Sequence, residues 1–325
     1  ATKEEIYKFI VSDLQFADDN LPLKSATQVG RATKGAAQSL LAKVYLYQKN
    51  YERVYELTDS VITGKSGAYS LYPDYEDIWR EKGSNSSESI FEVQTGTTNS
   101  CNTAIQLYSV SQGPRSSQNA EQGAWPTGDL GFGFNNPSES LVAEYEPGDK
   151  RKDATIIFIK PTEPTILWDG YRVPSQVSVE NSRYNYKAYQ SRNGAERNCG
   201  SNDFLPKNLR VLRLADVMLM HAEAAIQLGR PGAASDLSLI RTRAGLTTPA
   251  PLTLEAVWHE RRVELAMEHD RYFDLVRQNE VQPGRAAAAF TADNGKVWND
   301  KYKVFPIPQA QIDLSGGNLK QNDGY

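Results

Sequence analysis

Glu260, Glu264 and Glu268 stand at i, i+4 and i+8, with His259 and His269 beside them. Carboxylates stacked along one helix face are a ligand pattern of di-metal sites. The pair His259-Glu260 is followed by Val263 where a zinc protease needs its second histidine, and two imidazoles one turn apart are what grip that metal. Arg261, Arg262 and Arg271 lie close enough in sequence to neutralise the acids. The row therefore reads as a structural salt-bridge net, with no metal site.

Hydrolysis is the next chemistry to weigh. Glycosidases on helical scaffolds set two carboxylates across a sugar at about 5 Å or about 6.5–9.5 Å. Asp129, Asp149, Asp153 and Asp169 lie in the loop-rich middle of the chain, but none has the apolar context that raises an acid's pKa. They read as turn formers or solvated charges. Gly131-Phe132-Gly133 has Asn136 where a phosphate loop needs its third glycine, and no strand–helix–strand unit surrounds it. There is no GxSxG, and three histidines in all give a Ser/His triad little support. Cys101 and Cys199 are far apart in polar stretches. A disulfide and two free thiols both fit that spacing, and no Cys/His cluster suggests zinc. No catalytic residue and no cofactor is expected.

Aromatic and polar residues remain. Trp125, Trp168, Tyr171, Tyr184 and Tyr186 sit among Asn135, Asp169, Arg172, Arg183 and Asn185. A sugar has apolar faces and hydroxyl edges, so a binder needs flat rings with charged or amide groups at the rim. Peptides use the same ingredients, and some of these rings are expected to pack loops onto helices. The candidate ligand-binding residues are Trp125, Trp168, Tyr171, Arg172, Tyr184 and Tyr186.

Helices must carry these loops. Ile6, Phe9, Ile10, Leu14 and Ala17 mark a helix over 4–18. Thr33 caps a second over 34–48, and a short break at Lys49-Asn50 leads to a third over 51–63. Helices joined by so short a turn lie antiparallel. The spacing predicts a helix over 210–228, a turn at Gly229-Arg230-Pro231-Gly232, and one long helix over 253–278. Residues 84–208 are rich in Gly, Ser, Asn, Pro and Thr, with short extended runs at 89–93, 156–159, 165–168 and 184–186. Their many aromatics argue against disorder. The 325 residues carry 36 basic and 40 acidic side chains, interspersed, for a net charge of −4. No basic stripe marks a nucleic-acid surface, and no apolar run approaches the ~20 residues of a membrane span.

Several phrases together resemble the SusD/RagB family of cell-surface nutrient-binding lipoproteins. They are SSESIFEVQ (86–94), GFGFNNPSESLVAEYEPGDKRKDATI (131–156), LWDGYRVP (167–174) and SRYNYKAYQSR (182–192). LRVLRLADVMLMHAEAAIQLGR (209–230), LSLIRTRAGL (237–246), WHERRVELAMEHDRYFDLVRQ (258–278) and YKVFPIPQAQID (302–313) follow in order. The resemblance implies a mainly α fold of tetratricopeptide-like helical hairpins, a scaffold for a long irregular excursion with short strands. It implies one domain over 1–325, with scaffold at 1–83 and 209–325 and a ligand-binding, partner-facing region at 84–208. It implies a protein that is not an enzyme. Such a protein binds glycan or peptide nutrients at the outer membrane's external face and passes them to a SusC-like TonB-dependent transporter. Family members begin with a lipoprotein signal and an anchoring cysteine, so this chain is expected to lack that front part and its lipid anchor. Two alternatives stay open: a polysaccharide hydrolase or lyase on a helical scaffold, and a tetratricopeptide-type adaptor for protein segments.

Overall fold

Capping side chains set the helix starts. A computed structural model describes residues 1–94, 106–126, 130–192, 207–293 and 295–325. Helix α1 (Lys3–Asn20) opens on a capping box in which Thr2 and Glu5 satisfy each other's backbone amides. The Thr33 hydroxyl accepts from the Ala36 amide and starts α2 (Lys34–Tyr47), and Asn50 does the same through Arg53 for α3 (Tyr51–Ile62). Then follow β1 (Ser89–Val93), α4 (Gln106–Gln112), α5 (Glu139–Val142) and α6 (Arg151–Thr155). Short strands β2 (Ile156–Phe158), β3 (Thr165–Ile166), β4 (Arg172–Val173), β5 (Arg183–Asn185) and β6 (Leu209–Arg213) come next. Helices α7 (Leu214–Leu228), α8 (Ala233–Arg243), α9 (Leu254–Glu264), α10 (Arg271–Val281), α11 (Arg285–Ala292) and α12 (Gln309–Leu314) complete the order. The fold is mainly α, built on tetratricopeptide-like helical pairs, with short strands in an irregular middle.

Two compact units are distinct: Ala1–Pro137 with Leu141–Met267, and Ser138–Ser140 with Glu268–Tyr325. In the first, α3 packs on both α2 and α7, and α7 packs on α8 and α9. Gly229 at φ 64° ends α7 in the left-handed cap that glycine adopts without strain. Leu41, Leu46, Val54, Leu57, Val61, Met218, Leu219, Leu237 and Ile240 form the main core. A second core lies wholly in the irregular middle: Leu130, Ile157, Leu167, Tyr171, Val173, Tyr184, Tyr186 and Tyr189, with Trp125 against it. That core explains how a stretch without helical periodicity stays ordered: it buries its own apolar surface. In the second unit, Phe290, Trp298 and Tyr302 pack ring on ring, with Phe290 and Trp298 centroids 5.1 Å apart.

Two expected helices are cut by tertiary contacts. Residues 209–213 are a strand, paired antiparallel with β1 (Phe91 opposite Leu212, Val93 opposite Leu209). The helix begins at Leu214, whose amide donates to the Glu88 carbonyl at 2.9 Å. The long helix expected over 253–278 stops at Glu264. That residue's carbonyl accepts from the Tyr75 hydroxyl at 2.7 Å, Arg213 Nη2 at 2.9 Å and Lys187 Nζ at 3.0 Å. Beyond it Met267 and His269 take left-handed φ values of 67° and 75°, which no continuing helix tolerates. Glu268 therefore does not extend the row of Glu260 and Glu264.

Candidate functional site

Strands β3 and β4 form a small hairpin, with Ile166 opposite Arg172. Its tip is Leu167-Trp168-Asp169-Gly170-Tyr171, closed by the Leu167 amide donating to the Tyr171 carbonyl at 2.9 Å. Two-residue strands hold little by themselves, so the tip is fastened from outside. Asp169 does most of this. Its Oδ1 accepts from the Tyr171 amide at 3.0 Å. Its Oδ2 accepts from the Tyr189 hydroxyl at 2.8 Å, the Ser191 hydroxyl at 3.0 Å and the Arg192 amide at 2.8 Å. Burial pushes the Asp169 carboxyl up, but these donors outweigh it and hold the group below the usual carboxylate range. Tyr189 answers in the opposite sense: burial first, then the facing carboxylate, push its phenol up.

Trp168 rides on this tip. Its backbone amide donates to the Tyr186 hydroxyl at 2.7 Å, and its ring meets Tyr189 edge-on with centroids 6.3 Å apart. The residue is 36% exposed, a large share for a side chain so constrained. Arg172, one step down the hairpin, is exposed. Trp125 is half-buried and donates its indole N–H to the Ser178 carbonyl at 3.2 Å. The other three candidates lie beneath the surface. Tyr171 and Tyr184 are enclosed in the second core, and the Tyr184 hydroxyl accepts from the Asn181 amide at 2.9 Å. Tyr186 is buried, and burial pushes its phenol up to about 12. So the structure gathers all six nominated residues around one loop-built core, with Trp168 and Arg172 facing solvent and Trp125 partly so.

The acids take other roles. Glu260 and Glu264 are fully buried in an ion-pair net, as their spacing suggested, but their partners are not the neighbouring arginines. Arg151 from α6 pairs with both, Arg213 and Arg243 pair with Glu264, and Arg241 pairs with Glu260. Arg261 instead holds Asp216 at 2.7 Å, and Arg262 holds Glu144. Asp149 lies buried against Arg151 in two parallel bonds of 2.9 and 2.7 Å, where its sequence suggested a turn or a solvated charge. Asp153 is exposed. Asp129, Cys101 and Cys199 fall outside the described residues. A groove is lined by Lys24, Arg31, Asn85, Phe91, Glu92 and Gln94 among others, and contains none of the six candidates. Its amides already serve one another: Asn85 and Gln94 exchange two bonds of 2.9 Å.

Residue spacing gave no sign of Arg80. Its guanidinium carbon sits 4.7 Å from the Trp168 ring centroid and 4.6 Å from that of Tyr186. Nothing in a segment 88 positions upstream points to that meeting.

Comparison with known proteins bears on the fold. A SusD-like protein of Bacteroides ovatus is 28% identical over 92% of this chain and 58% of its own length. The chain thus spans little more than half of that relative. Surface glycan-binding protein A from Bacteroides uniformis superposes with a TM-score of 0.76 at 26% identity, covering 99% of this chain and 69% of that one. A laminarin-binding SusD-like protein superposes with a TM-score of 0.78 at 30% identity, covering 100% of this chain and 70% of that one. The SusD family model matches residues 87–325. From fold, motifs and match together, the chain belongs to the SusD family.

Proposed function

We propose that this chain is the ligand-capturing part of a surface nutrient-binding protein, and that it holds glycan without cleaving it. The observation that carries the reading is the Trp168 indole, open to solvent on a hairpin tip fastened by Asp169, Tyr186 and Tyr189. An immobilised ring stacks on the apolar face of a sugar with little ordering cost. Arg172 offers donors at the rim, and Trp125 lends a second, partly open indole. Tyr171, Tyr184 and Tyr186 support the platform from below. Related proteins described as glycan-binding and laminarin-binding support a β-glucan as the first ligand to try. In this reading residues 84–208 are the binding and partner-facing region. The protein works at the outer face of the outer membrane and hands its ligand to a SusC-like TonB-dependent transporter.

Calorimetry with laminarin tests it, parent against Trp168→Ala and Trp125→Ala. Binding by the parent and a loss of about tenfold in Trp168→Ala is the expected result. Equal affinity in all three would move the site elsewhere.

A further inference from the structure

Arg80 follows the 3-10 turn Glu76–Trp79 and is 4% exposed. One guanidinium nitrogen, Nη2, pairs with Glu76. A second, Nη1, is buried and meets no hydrogen-bond partner among the described residues. A buried cation with an unmet donor is unfavourable, so an arginine at this position calls for an account. The ring faces supply it. The same guanidinium lies over Trp168 at 4.7 Å and over Tyr186 at 4.6 Å, and the rings' π-electrons attract a desolvated cation. Tyr186 in turn accepts the Trp168 backbone amide. One cation therefore lies over both the Trp168 ring and the phenol that accepts the Trp168 backbone amide. Glu76 ties that cation to the segment before β1.

The geometry points to Arg80 as the positioning residue of the ligand platform: it sets the angle and stillness of the Trp168 ring without touching ligand itself. This rests on the reading of Trp168 as the sugar-stacking ring. The shape of the guanidinium matters as well as its charge, because its delocalised charge lies near both ring centroids at once, whereas an ammonium is a compact point charge. Among the described residues, Trp168 otherwise has a backbone hydrogen bond to Tyr186 and an edge contact with Tyr189. A loose ring must be ordered at each binding event, and that ordering weakens affinity.

The test uses the full chain labelled with 5-fluorotryptophan. The Trp168 fluorine resonance is assigned by its loss in Trp168→Phe. In Arg80→Met, and to a smaller degree in Arg80→Lys, that resonance should move and broaden while those of Trp258 and Trp298 report an intact fold. Laminarin dissociation constants should rise about tenfold in Arg80→Met, with Arg80→Lys between it and the parent. If Arg80→Met does not fold, Arg80→Lys alone decides by the same resonance. An unchanged Trp168 resonance, or a shifted one with parental affinity, would overturn the proposal. Failure of the parent to bind laminarin is a different result. It would count against the proposed ligand, while the resonance would still decide whether Arg80 sets the ring.

Discussion

Arg213 grips Glu264 twice, once at the side chain and once at the backbone. Its Nη1 donates to the carboxylate at 2.7 Å and its Nη2 to the carbonyl at 2.9 Å. The same carboxylate meets Arg243 and Arg151, and the same carbonyl meets Lys187 and Tyr75. One residue at the end of α9 thus joins β6, α8, α6 and the irregular middle. Replacing it by glutamine leaves three buried guanidinium groups short of a counter-charge. Breaking a buried pair in this way costs about 3–5 kcal/mol. Glu264→Gln should lower the denaturation midpoint accordingly in a urea titration followed by circular dichroism. A midpoint equal to the parent's would show that the net is dispensable.

The net also predicts how stability responds to acid. Burial pushes the Glu264 carboxyl up, but Arg243, Arg213 and Arg151 outweigh it and hold the group well below the ordinary range. Asp216 is held down likewise, burial being overcome by Lys43 and Arg261. A folded-state value below the unfolded one means that the unfolded chain takes up the proton first. The stabilisation is therefore complete above the ordinary carboxylate value of about 4 and is lost as pH falls below it. Thermal midpoints should be level from pH 7 to about pH 5 and drop steeply under about pH 4. In Glu264→Gln that drop should be shallower. A steep loss already near pH 6 would contradict this account.

Asp169 separates binding from hydrolysis. Asn in its place keeps one acceptor oxygen, and whichever way its amide is turned an NH2 faces either the Tyr171 amide or the three donors now on Oδ2. Losing hydrogen bonds to a charged acceptor costs about 1.5–3 kcal/mol. Asp169→Asn should therefore be less stable and bind laminarin more weakly, since the Trp168 tip loosens. Neither parent nor variant should release reducing ends from laminarin or mixed polysaccharides. Product release by the parent that vanished in Asp169→Asn would make this carboxylate catalytic.

Gly131 permits a close backbone crossing. A Cβ built there would lie 2.0 Å from the Val110 carbonyl oxygen and 2.7 Å from Gly113 Cα. The ribbon it belongs to is bonded to α4 and the turn after it, through Phe132 to Val110 at 2.8 Å and Phe134 to Ser111 at 2.9 Å. Backbone atoms cannot swing aside as a side chain can. Gly131→Ala should destabilise by about 1–3 kcal/mol, measured by chemical denaturation. A neutral result would mean that the two strands of chain separate easily.

Much of the scaffold is legible along the chain because its causes are local. Thr33 caps a helix that begins at the next residue, Gly229 ends one, and the extended run 89–93 forms a strand. The ordered phrases of the family were readable too, and they reached into the irregular middle. The role of individual rings was not. Tyr184 and Trp168 are both aromatic residues in loop-like sequence, yet one is enclosed and the other is 36% exposed. That difference arises from which segments fold over each ring.

Ion pairing behaves the same way. Sequence neighbours suggested Arg261, Arg262 and Arg271 for the row of Glu260, Glu264 and Glu268, whereas the partners of Glu260 and Glu264 come from Arg151, Arg213, Arg241 and Arg243. Arg80 meets Trp168 across 88 positions. By itself the sequence determined fold class and family, and it gave an expectation of where a ligand site should be sought. Tertiary structure alone decided which ring faces solvent, which charge answers which, and where a helix must stop. Burial and Coulomb attraction act through space between groups that the chain brings together only when it folds.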